Sequence, residues 1–323
     1  MVTVKLSKII APTFASVHRD IKQHRHTHYW LKGGRGSTKS SFISVEIPLG
    51  MMRDAGKGQY TNAIVLRRYG VTLRESVFEQ IGWAINALGV AELWKSSVSP
   101  MSWTYLPTGQ RIIFRGADDP TKVKSIKFAV GWAKYLWYEE VNEFEGAEKI
   151  RSINQSVLRG GADFFAFYSF TPPKAARNWV NQYVAIERED TLVHHSTYLT
   201  VPPEWLGEQF IVEAEHLKAV KPEAYRHEYL GEVTGTGGGV NPRTVIGQRE
   251  DGAVLLLVID GRQTTSLGAS YSDCIDIMTQ YGAMNAANLD GGSSSVMVYD
   301  GQIINNVVSM NGDRKVPTAF IVK

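Results

Sequence analysis

Residues 29–42 read YWLKGGRGSTKSSF: a short apolar run, a glycine-rich turn and the start of a helical pattern. Gly33, Lys39 and Ser40 fit the spacing G-x-x-x-x-G-K-[ST] of a phosphate-binding loop, but Thr38 stands where the second glycine belongs. Such a loop captures anions. Successive backbone N–H groups (here of Gly33, Gly34, Gly36, Ser37, Thr38, Lys39 and Ser40) and a helix N-terminus surround the phosphates, and the lysine bridges the β and γ oxygens. A β-branched residue strongly disfavours positive φ, so position 38 is expected at negative φ with its side chain turned from the phosphates. About 100 residues on, AKYLWYEEVNEF is an apolar strand ending in Glu139-Glu140. The first carboxylate would support Mg²⁺, and the second would orient and activate an attacking water. A further strand ends in YSFTPP, placing Ser169 and Thr171 either beside the γ-phosphate or as ordinary strand-end hydroxyls. Arg35, inside the loop, is a candidate arginine finger acting in cis; otherwise it pairs with a surface carboxylate.

These residues need strands and helices in alternation to bring them together. Strand patterns fall at 28–31, 63–67, 112–115, 133–138, 164–170 and 192–199, with helical patterns at 73–88 and 147–158 between some of them. That alternation predicts an α/β domain with a mostly parallel sheet. The loop should lead into an amphipathic helix, KSSFISVEIPLGMM, and MSWTYLPTGQRIIFRG should form an inserted hairpin. Residues 205–220 and 222–230 read as a closing helical pair. Five glycines within residues 231–239 mark a flexible or turn-rich junction over 231–240, between a first domain at 1–230 and a segment at 241–323. That segment is strand-rich: a hairpin turning at Asp251-Gly252, a helix over 270–281, a second hairpin turning at Asp300-Gly301 and a last strand, PTAFIVK.

Composition sets the limits. With 323 residues, 43% hydrophobic and 21% charged, the chain is globular and long enough for two cores. No run approaches the roughly 20 apolar residues of a membrane span, and the start lacks a secretory h-region. The one cysteine, Cys274, excludes an internal disulfide, fits a reducing compartment and reads as core filling. From Val240 onward there are six basic and eight acidic residues, leaving 29 of the 35 Lys/Arg and 24 of the 32 Asp/Glu before it. The mildly basic first part permits contact with nucleic acid without demanding it. Arg67, Arg68 and Arg74 lie where they could sense a nucleotide. His24, His26 and His28 alternate and should share an exposed strand face, with no cysteine or carboxylate nearby to complete a metal site. His194 and His195 point to opposite faces.

Taken in order, KGGRGSTKSSF, VLRRYGVTLRESVFEQ, IIFRGADDPTKVKSI, LWYEEVNEF, RSINQSVLRGG and FTPPKAARNWV resemble the ATPase domain of phage terminase large subunits, over residues 1–239. The resemblance implies an ASCE-type P-loop fold and ATP hydrolysis coupled to DNA packaging. Lys39 and Ser40 would then hold phosphate and Mg²⁺, Glu139 would support the metal, Glu140 would be the catalytic base, and Ser169–Thr171 the coupling segment. Implied partners are double-stranded DNA, a terminase small subunit, the portal of a procapsid and further copies in a ring, in the cytoplasm of a bacterial host.

The nuclease domain of a whole large subunit is not expected in the remaining sequence. Instead NPRTVIGQREDGAVLLLVIDGR, GASYSDCIDIM and GAMNAANLDGGSSSVMVYDGQIINN resemble the C-terminal part of the phosphodiester glycosidase family. The resemblance would place substrate-binding or catalytic residues at Arg243, Asp260, Arg262, Asp290, Gly291, Gly292, Ser293 and Ser294. Arginines suit a phosphodiester, a carboxylate suits acid–base work, and a Gly-Gly turn offers N–H groups to an oxyanion. Without the resemblance the same residues make tight turns between strands. The leading expectation is a packaging ATPase with a partial glycosidase-like module. The alternatives are a carbohydrate-active enzyme, or a recombinant in which neither part works.

Overall fold

The computed structural model describes residues 4–118, 126–158, 160–161, 163–234, 240–263, 265–307 and 319–321, and the chain divides into two compact units, 1–234 and 235–323. In the first, eight strands share one sheet: β1 (His28–Gly33), β2 (Thr61–Arg67), β3 (Trp94–Val98), β4 (Met101–Tyr105), β5 (Gln110–Gly116), β6 (Trp132–Glu139), β7 (Phe165–Phe170) and β8 (Thr191–Ser196). Their order is β3-β4-β5-β2-β6-β7-β1-β8. From β5 to β8 the neighbours run parallel. The central strands are buried at nearly every position because both faces are covered. The expected hairpin is present as antiparallel β4 and β5, but β5 also pairs with β2, so it belongs to the main sheet.

The helices of this unit are α1 (Ala15–Lys22), α2 (Lys39–Gly56), α3 (Glu79–Ala87), α4 (Ala147–Val157), α5 (Trp179–Tyr183), α6 (Pro203–Leu206), α7 (Glu208–Val220) and α8 (Pro222–Glu228). Strand alternation divides the core. Tyr29, Leu31, Val65, Trp137 and Phe167 pack with Phe14, Phe42, Ile43 and Ile81 on one face. Trp30, Ile64, Leu136, Tyr138 and Tyr168 pack with Ile150, Ile153 and Val180 on the other. The helix expected over 73–88 begins with a π-helical turn, Arg74–Phe78, before α3. Gly207, at φ 80°, separates α6 from α7, and Pro222 opens α8.

Helix α2 differs from the expected amphipathic helix. It is buried nearly all round, from Phe42 through Ile47 to Asp54. Its C-terminal end is held by the Asp54 carboxylate, which accepts from Thr61 Oγ1 (2.9 Å), Tyr135 Oη (2.8 Å) and Lys134 Nζ (3.2 Å). Lys134 also reaches Asp163 at 2.9 Å. A buried ion pair with its remaining hydrogen bonds satisfied fixes α2 against β2 and β6, and with it the loop at the other end of the helix.

The three alternating histidines do not share a strand face, because the strand starts only at His28. His24 takes positive φ after α1, and each ring faces its own carboxylate: His24 Asp163, His26 Asp20 and His28 Asp190.

The second unit holds β9 (Arg243–Arg249), β10 (Val254–Ile259), α9 (Tyr271–Gln280), β11 (Ala283–Asn288) and the short pair β12 (Val298–Tyr299) and β13 (Gln302–Ile303). The order β10-β9-β11 is antiparallel throughout. Ser270 and Asp273 form a capping box on α9, which lays Cys274 and Met278 over Val245, Leu255 and Leu257. Cys274 is buried as expected, and burial raises its thiol pKa. Strand β11 is absent from the sequence-based expectation: GAMNAAN has poor strand propensity and is set by its pairing with β9. Of the final strand expected in PTAFIVK, residues 319–321 carry no strand, and the others lie outside the described residues. So does most of the glycine-rich junction, at 235–239.

Candidate nucleotide site

Three strand ends meet at the carboxyl edge of the sheet, where open α/β sheets bind their ligands. β1 runs into the glycine-rich loop, β6 ends in Glu139, and β7 lies between them. The register pairs Ser169 on β7 with Leu31 on one side and Glu139 on the other. Glu139 accepts a hydrogen bond from Ser40 Oγ at 2.8 Å on one oxygen and another from Ser169 Oγ on the other. Ser169 Oγ in turn accepts from the Trp137 indole N–H at 2.8 Å. Burial, then the neighbouring Glu140 charge, raises the Glu139 pKa, while the two hydroxyls and Lys39 work against the rise. Lys39 is itself buried and donates to the Gly33 carbonyl at 3.2 Å. Burial lowers its pKa against the pull of Glu140 and Glu139.

The expectation for Thr38 fails. The residue sits at φ 57° and ψ 18°, in the left-handed region. The loop enters α2 through the backbone turn that a glycine usually makes there, at a cost of roughly 1–2 kcal/mol for a residue with a Cβ. Its position is that of an N-cap, yet its hydroxyl caps nothing: Thr38 Oγ1 is buried without a hydrogen-bond partner among the described residues, as is Ser37 Oγ. The first N–H groups of α2 have no intrahelical acceptor and are left for an anion, which the helix dipole also favours. Glu140 is likewise left-handed (φ 51°, ψ 55°), and its carboxylate has no hydrogen bond among the described residues.

The loop leans on a segment about 190 residues away in the chain. A methyl group built on Gly34 would fall 2.1 Å from the Tyr229 carbonyl oxygen, and one on Gly36 (φ 72°) would fall 2.5 Å from the Phe210 ring. The Arg35 N–H donates to the Glu228 carbonyl at 2.8 Å. Nothing in the sequence marks this contact, since it arises only when α7 and α8 fold back on the loop. The Arg35 side chain is exposed and has no ion pair among the described residues. Arg67 and Arg68 turn to Glu143 instead, through a 3.6 Å ion pair and a 2.7 Å bond to its carbonyl. Arg74 is exposed, and Thr171 is half-buried just beyond β7.

The donor set fits Mg²⁺. Ser40 and Glu139 present hard oxygens side by side, and Mg²⁺ usually keeps several waters and phosphate oxygens in place of a full protein cage. Among the described residues no group of three or more His, Cys, Asp or Glu could hold a metal by itself.

In the second unit the residues of interest serve local contacts. Arg243 is buried, donates to the Ala269 carbonyl at 2.9 Å and lies 3.9 Å over the Tyr271 ring. Asp260 accepts from the Asn305 amide (3.1 Å) and the Asn306 N–H (3.0 Å). Arg262, at φ 59°, donates to Asn241 Oδ1 at 3.1 Å and lies close to Gly292. Asp290 accepts from the Gly291 N–H, and Gly292–Ser294 form a 3-10 turn that contains Ser293 and leaves Ser294 Oγ without a partner among the described residues.

Residues 25–232 match the family described as phage terminase large subunit, and residues 202–323 match the family phosphodiester glycosidase. The chain is 44% identical over 243 residues to the large subunit of the terminase of Bacillus phage SPP1, covering 73% of this chain and 56% of that protein. It thus spans about half the length of the curated relatives it matches. Among solved structures it is similar in fold to the large terminase from a thermophilic bacteriophage, with a TM-score of 0.54 at 10% identity over 85% of this chain and 74% of that one. The same terminase in complex with ATP-gamma-S gives a TM-score of 0.51 at 12% identity over the same shares, 85% and 74%. With the first match covering residues 25–232 of 323, the chain belongs to the phage terminase large subunit family.

Proposed function

We propose that the first unit is an ATP-hydrolysing motor module that drives DNA packaging. The observation that carries this reading is the Glu139 carboxylate held between the hydroxyls of Ser40 and Ser169, with Lys39 buried behind it. The relationship to a terminase large subunit supports it, as does a neighbour of the same fold in complex with ATP-gamma-S. The backbone N–H groups from Gly33 to Ser40 and the α2 dipole would hold the phosphates, and Lys39 would leave the Gly33 carbonyl to bridge β and γ oxygens. Ser40 and Glu139 would hold Mg²⁺, which when bound neutralises charge on the phosphate oxygens. Glu140 takes the proton of the attacking water; its carboxylate is not tied down by any described partner. The exposed Arg35 supplies positive charge to the transferred phosphoryl group, and Ser169 with Thr171 transmits the state of the site along β7. Double-stranded DNA, a small subunit, a portal and further copies in a ring are the proposed partners, in the host cytoplasm.

The second unit, taken as a separate module from residue 241, contributes no glycosidase turnover in this reading. Its carboxylates Asp260 and Asp290 hold backbone and amide groups of neighbouring turns. Its sheet leaves Val254 and Leu256 exposed, at 59% and 44%.

The test is hydrolysis of ATP with and without Mg²⁺ and double-stranded DNA. Glu140→Gln should keep nucleotide binding and lower turnover by about 10² or more, as expected for loss of a general base. Lys39→Ala should abolish tight triphosphate binding. Turnover by Glu140→Gln at the parent rate would remove the acidic pair from the mechanism.

A further inference from the structure

Ser169 stands at the centre of the site, and its hydroxyl has three neighbours: the Trp137 indole N–H at 2.8 Å, Glu139, and the Tyr138 carbonyl at 3.3 Å. A hydroxyl carries one proton, and an indole nitrogen only donates. The indole therefore occupies a lone pair of Ser169 and cannot compete for its proton. Glu139 and the Tyr138 carbonyl are both acceptors, and a carboxylate accepts a charge-assisted bond that is stronger than one to a neutral carbonyl. The proton of Ser169 is thereby directed at Glu139.

Trp137 is fully buried in the sheet, two residues before Glu139 on β6, and its indole N–H is committed to Ser169. Its ring lies in the core cluster of that sheet face with Tyr29, Val65 and Phe167. A phenyl ring would keep the aromatic packing with less volume and would lack the N–H.

We infer that Trp137 is a positioning residue for the nucleotide site: its N–H anchors the Ser169 oxygen so that the Ser169 hydroxyl fixes the orientation of the Glu139 carboxylate. The inference rests on the ATPase reading and deepens it. Glu139 is held from two sides, by Ser40 from the loop and by Ser169 from β7. Ser40 sits on the element that receives phosphate, so only the Ser169 side can hold the carboxylate independently of the nucleotide. Without the indole, the Ser169 hydroxyl is free to rotate toward the Tyr138 carbonyl, and Glu139 loses its fixed aim.

The experiment measures binding of a fluorescent ADP analogue, with and without Mg²⁺, to the full chain and to Trp137→Phe, Ser169→Ala and the double variant. Partners that orient metal-binding groups typically contribute 10–100-fold to metal affinity or activity. Trp137→Phe should lose about tenfold of the Mg²⁺-dependent tightening while its affinity without Mg²⁺ stays within about twofold. Ser169→Ala should lose as much, and the double variant no more than Ser169→Ala, because the two act as one unit. Parent-like Mg²⁺ dependence in Trp137→Phe, an equal loss with and without Mg²⁺, or losses that multiply in the double variant would overturn the inference and leave the ATPase reading standing. Failure of the parent chain to bind nucleotide under either condition would overturn both. Should Trp137→Phe fail to fold, ¹⁵N-indole spectra decide the matter. One tryptophan N–H resonance should move in Ser169→Ala and also on adding Mg²⁺ with ADP to the parent, and its indifference to both would overturn the inference.

Discussion

Replacing Thr38 by glycine tests how this loop accommodates a β-branched residue. Thr38 occupies left-handed backbone space, worth roughly 1–2 kcal/mol against any residue with a Cβ. Its Oγ1 is buried without a partner among the described residues, and an unsatisfied buried hydroxyl costs about 1–3 kcal/mol. Glycine removes both terms but adds chain flexibility, a loss of about 0.5–1 kcal/mol. The balance favours Thr38→Gly by about 1–4.5 kcal/mol. In a unit of this size that raises the melting temperature by about 2–4 °C per kcal/mol. Thr38→Ala, which removes the hydroxyl and keeps the Cβ, should gain less. Thermal melts of the three proteins read the stability, and titration with a fluorescent ADP analogue reads the site. Affinity should rise or stay unchanged in Thr38→Gly. A melting temperature below that of the parent would refute the strain argument. A loss of affinity beyond about tenfold, about 1.4 kcal/mol, would show that the hydroxyl is kept free for phosphate and would refute the account of the loop.

Other perturbations probe the supports of the site and the second unit. Gly34→Ala places a methyl group 2.1 Å from the Tyr229 carbonyl, so it should destabilise the first unit by about 1–3 kcal/mol and weaken nucleotide binding with it. A parent-like urea midpoint would show that the 225–231 segment yields easily. Asp54→Ala removes the acceptor shared by Thr61, Lys134 and Tyr135 and should cost about 3–5 kcal/mol, again read by urea unfolding. For the second unit, no hydrolysis of a chromogenic sugar-1-phosphodiester is expected from the full chain. Turnover that disappears in Asp290→Ala would put the carbohydrate-active reading ahead.

The local parts of the site are legible in the amino-acid order. Glycine-rich loop, acidic strand end and hydroxyl-bearing strand end are each written in a short contiguous stretch. Apolar runs flanking them predict buried parallel strands, because such strands have no solvent face to alternate toward. The hairpin at β4 and β5, the capped helix α9 and the buried Cys274 follow equally from near neighbours. Three features depend on long-range packing instead. Residue preference gives the wrong sign of φ at Thr38, because the join between β1 and α2 imposes a left-handed turn whatever residue occupies it. Alternation puts histidines 24, 26 and 28 on one face, but the strand's pairing begins only at His28 and each ring finds a carboxylate remote in sequence or across a turn. The hydrogen bonds from Trp137 to Ser169 and from Ser40 and Ser169 to Glu139 exist because β7 lies beside β6 and β1 in one register. Strand order is a long-range property: it depends on which apolar faces pair in the folded core, and no local stretch of this chain encodes it.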